Sequence, residues 1–183
     1  MRPLSDAGGG SLEWREPQTA ERRFELRGGE KLFATLAFKS SFGTLATAET
    51  ASGRWTFKRV GFLNPRVTVR AEGAGGELAV YHPNLWRDGL LSCADGRAYP
   101  FRPVNFWASR WAFCSPGGSP LVTFHPGPEK PTLSDLFTSQ AMVEVAPSAS
   151  ADPHLPLLAT LGWYLMLLHR DDAGAVAAGA EHT

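Results

Sequence analysis

The sequence predicts an all-β fold with one helix: an about 12-stranded closed β-barrel wrapped around a buried hydrophobic C-terminal helix. Three observations carry this. Short runs with period-two alternation recur from Arg22 onward. Turn-forming pairs fall between them: Gly28-Gly29, Asn64-Pro65, Gly75-Gly76, Asp88-Gly89, Asp95-Gly96 and Gly117-Gly118. One late stretch, Leu155-Pro-Leu-Leu-Ala-Thr-Leu-Gly-Trp-Tyr-Leu-Met-Leu-Leu168, is apolar on every side of a helix.

Residues 1–20 are polar and glycine-rich, and they predict a flexible N-terminal arm in which Trp14 alone docks. Strands are expected at 22–27, 30–38, 43–50, 54–60, 66–72, 77–82, 89–94, 97–101, 110–115, 120–125 and 140–145, with a further candidate near 104–107. Alternation is clearest in the middle. Trp55 and Phe57 face one side, and Arg54, Thr56 and Lys58 the other; Val67 and Val69 face in, and Arg66, Thr68 and Arg70 face out. That pattern belongs to a sheet packed on one face and wet on the other. A weak repeat, Arg54-Trp-Thr-Phe57 with Arg110-Trp-Ala-Phe113, suggests a duplicated meander of hairpins.

Residues 127–138 read as a proline-bearing loop, and 146–153 as a linker. The helix follows near 155–170, entered by Asp152-Pro153 and closed by His169 and Arg170. At about 1.5 Å per residue, 155–168 spans about 21 Å, short of the roughly 30 Å hydrocarbon core of a bilayer. A wide barrel needs a filling, and an apolar rod needs a dry sheath. Inside the barrel, Gly162 permits close strand approach and the Thr160 hydroxyl bonds back to the Pro156 carbonyl. The single domain therefore covers 21–172, and 173–183 read as a disordered tail.

Bulk composition limits the function classes. The 183 residues carry 18 basic and 18 acidic side chains, which argues against a nucleic-acid binder. Cys93 and Cys114 cannot make a disulfide framework. No signal-peptide shape opens the sequence, so a cytoplasmic protein, peripheral to membrane at most, is expected.

The residues Trp55-Thr-Phe-Lys58, Asp88-Gly-Leu-Leu-Ser-Cys-Ala-Asp-Gly-Arg-Ala-Tyr99, Arg110-Trp-Ala-Phe113 and 157–168 carry a family likeness. In these, and in the order of strands before one apolar helix, the chain resembles the tubby C-terminal-like superfamily, which includes tubby domains, phospholipid scramblases and LURP-one-related proteins. The likeness covers about 22–170. It implies a β-barrel closed around a central hydrophobic helix, and an activity of lipid or phosphoinositide contact.

The candidate site is a basic sheet face. Lys39, Arg54, Lys58, Arg59, Arg66 and Arg70 stand against Glu49 alone between positions 39 and 70. Of these, Lys39, Arg54, Lys58, Arg66 and Arg70 are the expected ligands of an anionic lipid headgroup or phosphorylated ligand. The competing expectation is a solvated face with cross-strand pairs to Glu72 or Glu77. No zinc-like spacing joins His82, Cys93, Cys114 and His125, and neither a metal nor a cofactor is expected. No Gly-x-Ser-x-Gly elbow or phosphate-cradling loop is present, so no catalytic residue is assigned and the protein is expected not to be an enzyme. Trp86 and Trp107 sit in turn-like segments, where the need for dry barrel ends favours buried plugs over a membrane-interface rim.

The reading is a non-enzymatic binding domain. Its alternatives are a structural or protein-interaction module, and a membrane protein with 155–168 as a short tail anchor.

Overall fold

The computed structural model describes residues 1–7, 10–18, 21–84, 88–125 and 140–180. A 3-10 turn at Leu4–Ala7 precedes twelve strands: β1 (Leu12–Gln18), β2 (Arg23–Gly28), β3 (Lys31–Phe38), β4 (Ala46–Thr50), β5 (Gly53–Val60), β6 (Arg66–Ala71), β7 (Ala79–Pro83), β8 (Gly89–Cys93), β9 (Ala98–Pro103), β10 (Trp111–Cys114), β11 (Pro120–His125) and β12 (Ala141–Val145). A second 3-10 turn, Pro147–Ala149, leads to the helix α1 (Leu155–Ala180).

Every strand pairs antiparallel with its neighbours in sequence, and β1 pairs with β12 to close the barrel. The expected fold class is therefore observed. Closure leaves no unpaired strand edge. Register follows the alternation: Trp55 lies opposite Ala71, Phe57 opposite Val69, and Ala48 opposite Trp55. These residues point inward, while Arg54, Lys58, Arg66 and Arg70 are exposed. The outer wall thus carries charge and hydroxyls, the reverse of the apolar band on a membrane-spanning barrel.

Three expectations are corrected. The arm at 1–20 is not loose: residues 12–18 form the closing strand, with Leu12 and Trp14 buried. Pro17 obscures it in the sequence, and the structure accommodates it where the β1–β2 register shifts between Arg15 and Gln18. The candidate strand at 104–107 is instead part of a loop, held by its own hydrogen bonds as described below. The tail expected to be disordered continues α1 to Ala180, because extending a formed helix requires no new nucleus and alanine is the best helix former. Residues 181–183, and the whole loop expected at 127–138, lie outside the described residues.

The helix fills the barrel. Leu155, Leu157, Leu158, Leu161, Trp163, Tyr164, Leu165, Leu167 and Leu168 are all buried. Leu158, Trp163 and Leu167 are only 0, 4 and 1 % exposed, so the rod is sheathed by strands and offers lipid no face. Among the described residues, no helix is long and apolar enough to cross a membrane. At about 1.5–3 kcal/mol per large side chain, burying these nine gives on the order of 20 kcal/mol before ordering costs. These side chains are the apolar partners of the inward faces of the strands, so the barrel depends on its rod.

Two small features seat the rod. The Thr160 hydroxyl donates to the Pro156 carbonyl at 2.9 Å, which satisfies a polar group in a dry interior. Gly162 lies against the Phe124 ring of β11, where a Cβ has no room. Gly162 therefore lets the helix lie close to that strand.

Candidate functional site

An up-and-down barrel sends alternate loops to opposite ends. The turns 29–30, 51–52, 72–78, 94–97 and 115–119 and the segment 146–154 lie at the end where α1 begins, the entry end. The loops 39–45, 61–65 and 104–110 lie where α1 leaves, the exit end. The two ends differ in chemistry. Entry-end turns are built mainly from Gly, Ser, Ala, Pro, Asp and Glu, and they carry no Phe, Trp or Tyr. Among the described residues, every large apolar side chain more than four-fifths exposed is on an exit-end loop: Phe42, Phe62, Leu63, Phe106 and Trp107.

These tips are held out by structure. In the 39–45 loop, Arg22 donates to the Ser41 carbonyl at 2.9 Å, and the Tyr164 hydroxyl donates to the Thr44 carbonyl at 2.6 Å. Phe42 lies between these two anchors and is fully exposed. In the 61–65 loop, Gly61 adopts φ 86°, which a side chain rarely tolerates, and sets out Phe62 and Leu63. In the 104–110 loop, the Asn105 side chain bonds the Ser109 hydroxyl at 2.7 Å and accepts the Arg110 N–H at 3.0 Å. The Trp111 indole N–H donates to Ala108 at 2.9 Å. Phe106 and Trp107 project together, their rings edge to face at 5.2 Å. Trp107 is therefore no plug, correcting that expectation: α1 already fills the barrel, so its ends need no further lid. Trp86 lies outside the described residues.

A cavity of about 450 Å³ opens beside α1 at this end. Leu63, Pro65, Val67, Leu165 and Leu168 give it an apolar wall, and Arg59, His169 and Asp172 line its mouth. Arg59 points inward at the end of β5 and donates to both carboxylate oxygens of Asp172, at 2.8 and 2.9 Å. Arg22 similarly holds Asp171 at 2.6 Å. These two ion pairs fix the helix where it leaves the barrel. Beyond them α1 projects outward, and residues 173–180 carry no charge.

The predicted basic face separates into two groups. Arg54, on the entry side, is clamped by Glu49 at 3.0 Å and Glu72 at 3.1 Å, and Arg70 approaches Glu77 at 3.7 Å. These are the cross-strand pairs of a solvated face. Lys39, Lys58 and Arg66 lie toward the exit end, outside the barrel wall, and make no ion pair among the described residues. The five do not converge on one pocket. Sequence reasoning missed the apolar tips, although Gly61-Phe-Leu-Asn-Pro65 and Asn105-Phe-Trp-Ala-Ser109 display the signal: aromatics inside turn-forming residues.

The entry end holds a polar cluster on the β8–β9 turn and the segment before α1. One ligand atom each from Cys93, Asp95 and His154 lie within 4.8 Å of one another. The His154 Nε2 to Asp95 Oδ2 distance is 2.8 Å. Asp152 accepts the Tyr99 hydroxyl at 3.0 Å and the His154 backbone N–H at 2.8 Å. Burial pushes the Cys93 thiol up to about 11, with Asp95 and Asp152 adding to the shift. The hydrogen bond to His154, then that from the Arg97 N–H, holds the Asp95 carboxyl below its ordinary range. Both cysteines are free and buried.

Comparison with family models, with curated proteins and with solved structures finds no match to this chain.

Proposed function

We propose that this is a non-enzymatic, cytoplasmic peripheral membrane-binding domain that docks its exit end on anionic lipid. The observation that carries the reading is the segregation of Phe42, Phe62, Leu63, Phe106 and Trp107 to loops at one end. Exposed singly in water, such side chains lose the roughly 1.5–3 kcal/mol each that burial gives. At the headgroup level of a bilayer, amphipathic and aromatic rings are well placed. The tips stand on separate hairpins around a projecting helix, which suits a deformable lipid surface.

Charge favours an anionic surface. Lys39, Lys58, Arg66 and Arg170 lack a carboxylate partner among the described residues and lie toward the same end. Each basic residue near a negative membrane surface contributes about 1 kcal/mol. The lipid ligand suggested by the basic sheet face is thus retained, with the contact moved from the wall to the loop end. A closed barrel with one C-terminal helix is also the architecture that the likeness to the tubby C-terminal-like superfamily implies, and membership of that superfamily is part of the proposal. Free cysteines are compatible with a reducing compartment.

Vesicle co-sedimentation tests the reading. Wild type is expected to bind phosphatidylserine-containing vesicles more than neutral ones, and less as salt rises. Phe62→Ser/Leu63→Ser and Phe106→Ser/Trp107→Ser are each expected to weaken binding, and Lys58→Ala/Arg66→Ala to reduce its salt sensitivity. Failure of wild type to bind anionic vesicles, or equal binding by all three variants, overturns it.

A further inference from the structure

We infer that Cys93, Asp95 and His154 form a zinc site at the entry end, with one coordination position open to solvent. The inference is independent of the lipid-docking end, which lies across the barrel. The donor set is a thiol, a carboxylate and an imidazole, one atom of each within 4.8 Å of the other two. Tetrahedral bonds of about 2.0–2.3 Å place ligand atoms roughly 3.3–3.8 Å apart, so small side-chain shifts close the three around one ion. A soft thiolate with imidazole selects zinc over magnesium or calcium, whose sites are built from oxygen.

The surroundings orient the ligands. The Arg97 backbone N–H donates to Asp95 Oδ1 at 3.1 Å, directing the second carboxylate oxygen toward His154. Asp152 anchors the His154 backbone and is itself held by the Tyr99 hydroxyl. The His154 ring packs edge-on against Tyr99 at 5.7 Å. Such outer partners fix ligand geometry before the metal arrives. Asp95 is exposed, so an ion has access, whereas Cys93 closes the inner side. Three protein ligands with water in the fourth place is the arrangement of an open zinc site. The ion ties the β8–β9 turn to the segment that feeds α1 into the barrel.

The test uses the full chain, stripped with a chelator and titrated with Zn2+ by calorimetry and with Co2+ by optical absorption. One ion per chain is expected, and the cobalt form is expected to show a thiolate charge-transfer band. Cys93→Ser is expected to remove the band. His154→Gln and Asp95→Asn are each expected to weaken zinc by about tenfold or more. Because Asp95 is on the surface, that variant keeps its circular dichroism and separates ligand loss from misfolding. No thiolate band in wild-type protein, or unchanged zinc affinity in folded Asp95→Asn and His154→Gln, overturns the site.

Discussion

Trp14 of β1 stacks on Trp163 of α1, with ring centroids 6.2 Å apart and planes within 11° of parallel. The strand that closes the barrel is thereby joined to the rod that fills it. Both indole N–H groups are buried without a hydrogen-bond partner among the described residues, so each ring contributes as an apolar plate. Replacing Trp163 with alanine is expected to cost about 3–5 kcal/mol. Replacing Trp14 with phenylalanine is expected to cost much less, because no indole hydrogen bond is lost. Urea unfolding followed by circular dichroism measures both, and equal losses would contradict this account.

Gly162 sets the distance between α1 and β11. Gly162→Ala gains helix propensity of about 1 kcal/mol in an open helix, but here its Cβ meets the Phe124 ring. Net destabilisation is expected, in the range of about 1–3 kcal/mol typical of overpacking. Adding Phe124→Leu to Gly162→Ala is expected to recover part of the loss. Thermal melts of the two single variants and the double variant measure the coupling.

Deleting residues 155–180 removes nine buried large side chains from the barrel interior. The truncated chain is expected to be insoluble, or to bind a hydrophobic dye strongly while losing fixed tertiary structure. A soluble, monomeric fragment with an intact near-ultraviolet signal contradicts a barrel that depends on its rod.

Tyr81, Tyr99 and Tyr164 are the only tyrosines of the chain, and burial raises the phenol of all three above its ordinary value. Tyr99 is pushed up to about 12 by burial, with its bond to Asp152 contributing. The folded chain holds these protons more tightly than the unfolded chain, whose tyrosines release them near pH ~10. Stability is therefore full below about pH 10 and falls as pH rises from there through the folded values. Melting temperatures across this alkaline range are expected to drop steeply, and Tyr164→Phe is expected to lessen the slope. A flat profile contradicts the assignment.

The sheet was legible because residues such as Trp55, Phe57, Val67 and Val69 alternate cleanly with charged neighbours, and the helix because no polar face interrupts 155–168. β1 was harder to read: Leu12 and Trp14 alternate correctly, but Pro17 and the polar surroundings masked a strand identified by its pairing with β2 and β12. The end of α1 was misjudged because small residues resemble a linker, although alanine readily prolongs a helix already formed. The site was least legible. Outward cations on β5 and β6 look alike in sequence, and only cross-strand register shows that Arg54 faces Glu49. The cluster of Cys93, Asp95 and His154 joins positions 59 residues apart, which no local spacing reveals.

The order of elements along the chain has a consequence for biogenesis. Synthesis runs from β1 toward α1, so the staves leave the ribosome before the core on which they close. Until α1 follows, Trp14, Phe24, Phe57, Phe101 and Phe124 lack the surface that buries them in the finished molecule. The seam between β1 and β12 joins residues more than a hundred positions apart and must wait as well. Folding therefore ends in one late step, and a nascent chain paused before α1 requires protection from its own exposed interior.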